Sequence, residues 1–382
     1  MSHPILQTIA RLGTQTLAAQ AAELDRDPET LRQALQLLGQ QQLLALKVPL
    51  DLGGSAIDPI TYYQYQETLT RYSGALAFLQ TQHQSAIALL AHSQNLELRQ
   101  QQLPACITGQ QTLGIAFSHL RRSVPLVKAM PRRGGYAISG HIPWITGWGI
   151  FDSFILAAVL PDDRALYVLL PLRSQIQPTG GSLQLSLPMP LIAMTGTQTV
   201  TAEIHDWFVP EADVVTVRPA GAIHTHDRSN VLSHSAFSLG CAQAGLDYLQ
   251  SLQHRHANQN SPTLDPALAA TLAQTIDRLA QPLQTCRSQI YQALAAQAFP
   301  AQGCSSEDAE IQDIQGRYEQ GRSFRAQVLQ LALQITQMGV IASKGAANRQ
   351  EHPAGRLYRE AMAFSVTGQT QDLLLHTLTQ QN

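Results

Sequence analysis

The sequence predicts a segregated α+β protein in which helical segments flank a β domain. Apolar residues recur at helical spacing near the start, as at Leu31, Leu35 and Leu38, and again after about residue 218. Between these segments the period falls to two, most clearly over residues 199–205. Strands and helices do not alternate, which disfavours a Rossmann fold. We therefore predict three domains, which are a helical domain (1–110), a β domain (111–217) and a helical bundle (218–382).

Composition narrows the class of protein before any motif is considered. The chain has 382 residues, of which 44% are hydrophobic and 14% charged, with a formal net charge of -2. This balance predicts no nucleic-acid binding and no attraction to anionic membranes. Four widely spaced cysteines argue against a disulfide framework or a thiolate zinc site. Without a signal pattern or a long apolar run, we predict a cytoplasmic protein that does not insert into membranes.

The N-terminal domain carries clear helix boundaries. Asp27 followed by Pro28 is typical of a helix start, because the carboxylate caps free N–H groups and proline suits the first turn. A second helical block is predicted over residues 59–102, with Pro104 closing it.

The middle domain is predicted to be an antiparallel β barrel or sandwich. Apolar strands are expected at 154–160 and 165–170, and the domain is expected to end at Val209-Pro210. Before them, Gly134-Gly135 predicts a turn and Gly140 a second turn. Trp144 and Thr146 follow on a glycine-rich stretch that suits the edge of a flat ligand. An aromatic hairpin packed into its own core is the alternative interpretation, and composition alone favours it.

The C-terminal domain is predicted to be a helical bundle. Its best-defined stripe, at three-four spacing, consists of Phe324, Val328, Leu331, Ile335 and Met338. One more helix is expected from Leu357 to about Gln380.

The domain order and four short motifs resemble the acyl-CoA dehydrogenase family. The motifs are Glu23-Leu24-Asp25-Arg26 with Val48-Pro49 and Gly53-Gly54; Gly135-Tyr136-Ala137-Ile138-Ser139-Gly140 with Trp144-Ile145-Thr146; Val209-Pro210; and Arg356-Leu357-Tyr358-Arg359-Glu360-Ala361. The resemblance implies an N-terminal helical domain, a middle β domain and a C-terminal four-helix bundle. It also implies FAD between the β domain and the bundle.

The resemblance implies cofactor-binding residues in two places. In the Trp144-Ile145-Thr146 run, Trp144 is expected against the isoalloxazine ring and Thr146 near flavin N5, while the strand ending at Phe117 and Ser118 meets the pyrimidine edge. In the bundle, the candidates for the adenine or pyrophosphate end are Gln337, Gln369 and Gln371. Ordinary solvated glutamines are the alternative interpretation there.

The residues of the family's reaction are not where the resemblance places them. The catalytic glutamate position corresponds to Thr367 or Gly368, and an alternative base position corresponds to Asn230. None of these side chains can remove an α-proton at neutral pH. Asp227 or His226 would substitute only if the helix start is shifted. We therefore assign no catalytic residue.

Further departures concern anion and metal binding. The family's phosphate-contacting loop is replaced around Arg121-Arg122, which is either an anion-binding pair or a solvated basic pair. Arg255 lacks the family's pyrophosphate motif, which leaves FMN possible beside FAD. His224 and His226, expected on a loop with Asp227, have a spacing that can chelate a metal, but no third ligand is placed and we predict no metal site.

These observations predict a flavin-dependent oxidoreductase that oxidises an acyl-CoA or acyl-like substrate by hydride transfer to flavin N5. The alternatives are a flavin-dependent monooxygenase on the same scaffold and a non-catalytic binding or scaffold protein. A homodimer or homotetramer is expected from the resemblance, together with an electron-transfer or flavin reductase partner.

Overall fold

The computed structural model describes residues 3–258, 266–298 and 307–379, and its elements follow the predicted order. The helices before the strands are α1 (Pro4–Leu12), α2 (Ala21–Arg26), α3 (Pro28–Gln40), α4 (Pro59–Tyr72), α5 (Gly74–Ala91) and α6 (Leu96–Ile107). The strands are β1 (Leu113–Ala116), β2 (Val127–Arg132), β3 (Gly135–Ile145), β4 (Ser153–Val159), β5 (Ala165–Pro171), β6 (Gln175–Ile176), β7 (Ser182–Leu185), β8 (Val200–Pro210) and β9 (Val214–Arg218). The later helices are α7 (Ala222–Ser229), α8 (Ser235–Asn258), α9 (Pro266–Ala298), α10 (Glu307–Ser343), α11 (Pro353–Val366) and α12 (Gln371–Thr379). The predicted α+β class is confirmed.

The chain forms two compact units, each built from segments distant in sequence. The helical unit combines Met1–Ala22, Pro59–Gly74 and Arg228–Asn382, and the sheet unit combines Glu23–Asp58 with Ala75–Asp227. The three predicted domain ranges, 1–110, 111–217 and 218–382, stay a prediction. Within the described residues, no helix is long and apolar enough to cross a bilayer.

In the helical unit, α8, α9, α10 and α11 pack into a bundle, and α4 lies against α8. Buried Val328, Leu331 and Ile335 confirm the predicted stripe on α10. The single C-terminal helix predicted from Leu357 was wrong. Two helices occur, and Gly368 lies between them with a φ of 64°, a left-handed conformation that ends a helix readily.

The sheet unit contains nine strands in one mostly antiparallel sheet. The strand order is β6-β7-β8-β3-β2-β4-β5-β9, and β1 lies parallel to β4. Helices α5 and α6 bury Ile87, Leu90 and Leu103 against β4 and β5. The end predicted at Val209-Pro210 comes too early, because β9 follows and pairs with β5.

Two local predictions failed because tertiary packing outweighed the local signal. Gly140 makes no turn. It lies inside β3 at a register shift against β8, and a Cβ atom there would lie 2.1 Å from the Leu126 carbonyl oxygen. Pro104 does not close its helix, because α6 continues to Ile107 with Leu103 and Cys106 buried. In contrast, the predicted helix start is confirmed, since the Asp27 carboxylate accepts from the Thr30 backbone N–H at 2.7 Å.

Candidate functional site

The end of β3 presents one exposed aromatic side chain, followed by two buried residues. Trp144 is 48% exposed, whereas Ile145 is fully buried and Thr146 is 7% exposed. A register shift against β8 between Ile142 and Ile145 accompanies this change of direction. The indole is therefore available to a flat ligand, while the strand beneath it is fixed in the core of the sheet unit.

A chain of hydroxyl groups fixes Thr146. Its Oγ1 lies 3.2 Å from Thr199 Oγ1, which lies 3.3 Å from Thr197 Oγ1, and Thr197 donates to the Met194 carbonyl at 2.7 Å. Each hydroxyl has one hydrogen. If both longer contacts are hydrogen bonds, Thr199 donates to Thr197 and Thr146 donates to Thr199. This pattern leaves the lone pairs of Thr146 to accept a hydrogen bond from a ligand.

Glycines make the loop after Thr146 close-packed. Gly147 has a φ of 98°, and a Cβ there would lie 2.1 Å from the Phe151 ring. A Cβ at Gly114, on β1, would lie 2.9 Å from the same ring and 3.2 Å from the Thr146 carbonyl oxygen. The two segments predicted to meet a flavin ring, the β1 region and the end of β3, therefore lie side by side.

Phe117 and Ser118 continue β1 into a short 3-10 turn. Phe117 is half-buried and meets the Tyr167 ring edge-on at 5.7 Å, while Ser118 is exposed. The turn is anchored by buried His119, whose Nε2–H donates to the Ala157 carbonyl at 2.9 Å. Burial lowers the pKa of His119 to about 4, so the imidazole is neutral at physiological pH.

Arg121 and Arg122 lie in different environments. Arg121 donates two hydrogen bonds to the Asp227 carboxylate, at 2.7 and 2.8 Å, and the two side chains are only 18% and 15% exposed. Arg122 is exposed. A solvated basic pair is therefore the wrong description of Arg121, and Asp227 is engaged and unsuited to act as a free base.

The metal and pyrophosphate candidates also have defined positions. His224, His226 and Asp227 lie on α7, not on a loop as predicted. Residues two apart on a helix face different directions, which removes the geometric basis of the chelate. Arg255, on α8, holds its guanidinium 5.9 Å from the Tyr248 ring centre.

The three candidate glutamines of the helical unit differ in environment. Gln337 on α10 and Gln371 at the start of α12 are exposed. Gln369 is half-buried, and its Oε1 atom is buried without a hydrogen-bond partner among the residues that the structure describes. A buried amide oxygen ordinarily has a donor, so Gln369 is the one of the three that needs a further partner.

The segment aligned with the family's glutamate holds no carboxylate. The Thr367 hydroxyl donates to the Ala363 carbonyl at 2.9 Å, and Arg325 donates to the Thr367 carbonyl at 2.6 Å. A Cβ at Gly368 would lie 2.6 Å from His234 Nδ1. The sequence indicated Asn230 as the alternative base position and gave no sign that His234 lies beside Gly368. The contact joins distant parts of the chain, and no spacing rule indicates it.

Comparisons with known proteins agree with this architecture. Residues 3–110 match the family model described as acyl-CoA dehydrogenase, N-terminal domain. The chain is 22% identical to mitochondrial isovaleryl-CoA dehydrogenase from Pongo abelii, an alignment that covers 96% of this chain and 85% of that protein.

Solved structures share the fold at low identity. Butyryl-CoA dehydrogenase from Megasphaera elsdenii has a TM-score of 0.75 and 16% identity, over 99% of this chain and 97% of that one. Dibenzothiophene monooxygenase from Paenibacillus sp. A11-2 has a TM-score of 0.75 and 17% identity, over 98% and 96%. KijD3 in complex with FMN has a TM-score of 0.75 and 19% identity, over 100% and 94%.

Proposed function

The family model, the curated relative and the solved structures all indicate the acyl-CoA dehydrogenase family, and we propose from this premise that the chain is a flavin-dependent oxidoreductase. The observation that carries the proposal is the end of β3, where exposed Trp144 stands beside the fixed hydroxyl of Thr146. A bound flavin would supply a hydride acceptor at N5. The substrate that we propose is an acyl-CoA or an acyl-like compound.

The residues of the sheet unit fit the flat ring of a flavin. Trp144 offers an exposed indole, and the β1 region beside the end of β3 offers half-buried Phe117 and the exposed hydroxyl of Ser118. The hydrogen of Thr146 is directed at Thr199, so Thr146 offers the ring an acceptor, which suits an N–H group of a flavin and not the unprotonated N5 of its oxidised form. Buried Ile145 fixes the strand between the two side chains that we assign to the ring.

We propose FAD as the cofactor and FMN as its alternative. FAD is supported by the family resemblance, whereas KijD3, which shares the fold, binds FMN. In the helical unit, Gln369 is the favoured residue for a ligand contact, because its Oε1 needs a donor. Gln337 and Gln371 are exposed, so their amide groups do not need a ligand as a hydrogen-bond partner. Denaturing the purified protein and separating the released flavin by chromatography distinguishes the two cofactors.

A second candidate function is flavin-dependent monooxygenation, favoured by the missing carboxylate at Thr367 and Gly368. Dehydrogenation needs a base for the α-proton, and the Thr367 hydroxyl is already donated to Ala363. If the reaction is dehydrogenation, we propose that His234 takes the place of the missing carboxylate as the base. Monooxygenation needs no such base but requires a flavin reductase partner, and a monooxygenase shares this fold.

One experiment separates these functions on flavin-loaded protein. Anaerobic addition of an acyl-CoA bleaches the flavin if the chain is a dehydrogenase, which would then pass electrons to an electron-transfer partner. If the flavin stays oxidised, yet a flavin reductase and NADH with candidate substrate give oxygen consumption and an oxygenated product, the monooxygenase is favoured. Failure of both reactions over a broad substrate panel counts against turnover and favours the binding or scaffold role. We propose a homodimer or homotetramer, which sedimentation tests.

A further inference from the structure

A strained turn in the sheet unit is hydrogen-bonded to the loop that follows β3. It runs from Met194 to Gln198 and contains a single 3-10 turn. Met194 has a φ of 55° and Gln198 a φ of 49°, so two residues other than glycine adopt the left-handed conformation within one short segment. Such backbone is unfavourable and persists where the surrounding structure holds it, often beside a ligand site. The contacts that hold this turn therefore matter for the end of β3.

A buried carboxylate on α2 holds the turn. Asp25 is 6% exposed, and its Oδ1 atom accepts a hydrogen bond from the Met194 backbone N–H at 2.6 Å. The Asp25 backbone carbonyl lies 3.4 Å from Thr195 Oγ1. Gly196 packs against the same segment, since a Cβ atom there would lie 3.0 Å from the Leu24 carbonyl oxygen. Because a hydrogen bond to a carboxylate is stronger than one between neutral groups, Asp25 fixes the first left-handed residue of the turn.

The same turn connects directly to Thr146. The Met194 carbonyl oxygen carries no hydrogen, so the Thr197 hydroxyl must donate to it, at 2.7 Å. Thr197 Oγ1 lies 3.3 Å from Thr199 Oγ1, which lies 3.2 Å from Thr146 Oγ1. The Gly147 N–H also donates to the Thr197 carbonyl, at 2.8 Å. The turn therefore sets the position of the loop and directs the hydroxyl hydrogens of the chain away from Thr146.

We propose that Asp25 is a positioning residue of the proposed flavin site and that it acts through the Met194–Gln198 turn to hold Thr146 as a hydrogen-bond acceptor. Asp25 does not touch the ligand, because its contact with Thr146 passes through the turn and the hydroxyl chain. The inference rests on the proposed function only in naming a flavin as the ligand of Thr146. The competing explanation is that Asp25 contributes to folding stability alone.

A double-mutant cycle, measured by fluorescence titration with FAD and FMN, separates these explanations. Asp25→Ala and Thr146→Val should each weaken flavin binding about tenfold, the effect of one lost hydrogen bond. The double variant should bind within about threefold of Thr146→Val alone, because residues that act through one another are not additive. Asp25→Asn, which keeps an acceptor oxygen, should restore most of the affinity. Asp51→Ala, exposed in the 3-10 turn Leu50–Leu52, is the control and should bind flavin normally.

Hydrogen exchange of flavin-free protein tests the same link without the cofactor. The N–H groups of Gly147 and Trp148 donate to the carbonyls of Thr197 and Gln198 in the turn. In Asp25→Ala, the peptide that contains these two amides should exchange about tenfold faster, while the amides of β4 change much less. If Asp25→Ala does not fold, Asp25→Ser replaces it in both experiments, because its hydroxyl is too short to reach the Met194 N–H.

Four results would overturn the inference. They are normal flavin affinity in Asp25→Ala, losses that multiply in the double variant, unchanged exchange at Gly147 and Trp148, and equal acceleration there and in β4. Flavin uptake keeps the two proposals apart. If the original chain binds neither FAD nor FMN but Asp25→Ala accelerates exchange only in the loop, the flavin function fails and the link from Asp25 to the loop stands. If flavin binds and one of the four results occurs, only the positioning role fails.

Discussion

The Trp144–Thr146 surface of the sheet unit and the Thr367–Gly368 segment of the helical unit differ in what they offer a reaction. At the first, an exposed indole stands beside a hydroxyl fixed by Thr199. At the second, the hydroxyl and carbonyl of Thr367 are both engaged, and His234 fills the space beside Gly368. Under the function that we propose, the fold keeps the surface for a cofactor while the group expected to complete one reaction is absent.

The largest expected effect comes from the loop that supports the first region. Gly147→Ala should destabilise the sheet unit by about 4 kcal/mol, because it adds a clash with Phe151 to an unfavourable φ. Gly149→Ala is the matched control. Gly149 has a φ of 75° but no atom within 4 Å of the added Cβ, so about 1 kcal/mol is expected. Urea unfolding measures both, and equal losses would mean that the Phe151 contact does not matter.

The second largest effect is expected from acid, which should destabilise the sheet unit. His83 is fully buried, donates to the Cys106 carbonyl and accepts from the Leu113 N–H, and burial lowers its pKa to about 4. His119 has a similarly lowered pKa. In the unfolded chain the two imidazoles titrate near pH 6.5, so above that pH both are neutral in either state and the folded state has its full stability. Between pH 6.5 and 4 only the unfolded chain takes up the protons, and the free energy of unfolding falls by about 1.4 kcal/mol per pH unit for each histidine.

The control for the acid effect is His83→Gln, which keeps a donor and an acceptor but has no proton to gain. Unfolding free energies measured at several pH values should show a shallower dependence in this variant. An unchanged pH dependence would show that His83 does not contribute.

The second region is tested by His234→Gln. If dehydrogenation occurs and His234 replaces the missing carboxylate, flavin bleaching by acyl-CoA should slow about 100-fold while flavin content stays the same. His254→Gln, exposed on α8, should bleach at the normal rate. Stopped-flow absorbance measures both variants, and equal rates would remove His234 from the reaction.

The smallest effect is expected at the exposed indole. Trp144→Leu should weaken flavin binding about tenfold through the loss of ring contact, with little change in folding stability. Met130→Ala, exposed on β2, is the control and should bind flavin normally. Fluorescence titration gives the dissociation constants. An unaltered affinity in Trp144→Leu would place the flavin away from the end of β3.

Sequence reasoning succeeded where the signal was local or repeated over many residues. The period-two pattern predicted β8, and Asp27-Pro28 predicted the start of α3. Prediction from local sequence failed at Gly140 and Pro104, where the packing of distant segments decided whether a turn or a helix end formed.

Parts of the candidate site were beyond sequence patterns for the same reason. Trp144 and Thr146 stand in one motif and were identifiable, although the motif does not show which of them is exposed. The contacts of Arg121 with Asp227 and of Gly368 with His234 each join residues far apart in the chain. Such pairs are set by tertiary packing, and no spacing in the sequence reveals them.

The central claim, that the Trp144–Thr146 surface serves a flavin, is tested most directly by the visible absorption spectrum of the purified protein before and after denaturation. We expect a flavin band, present on purification or after reconstitution, that denaturation shifts to the spectrum of free FAD or FMN. A protein that is colourless and takes up neither FAD nor FMN would contradict it.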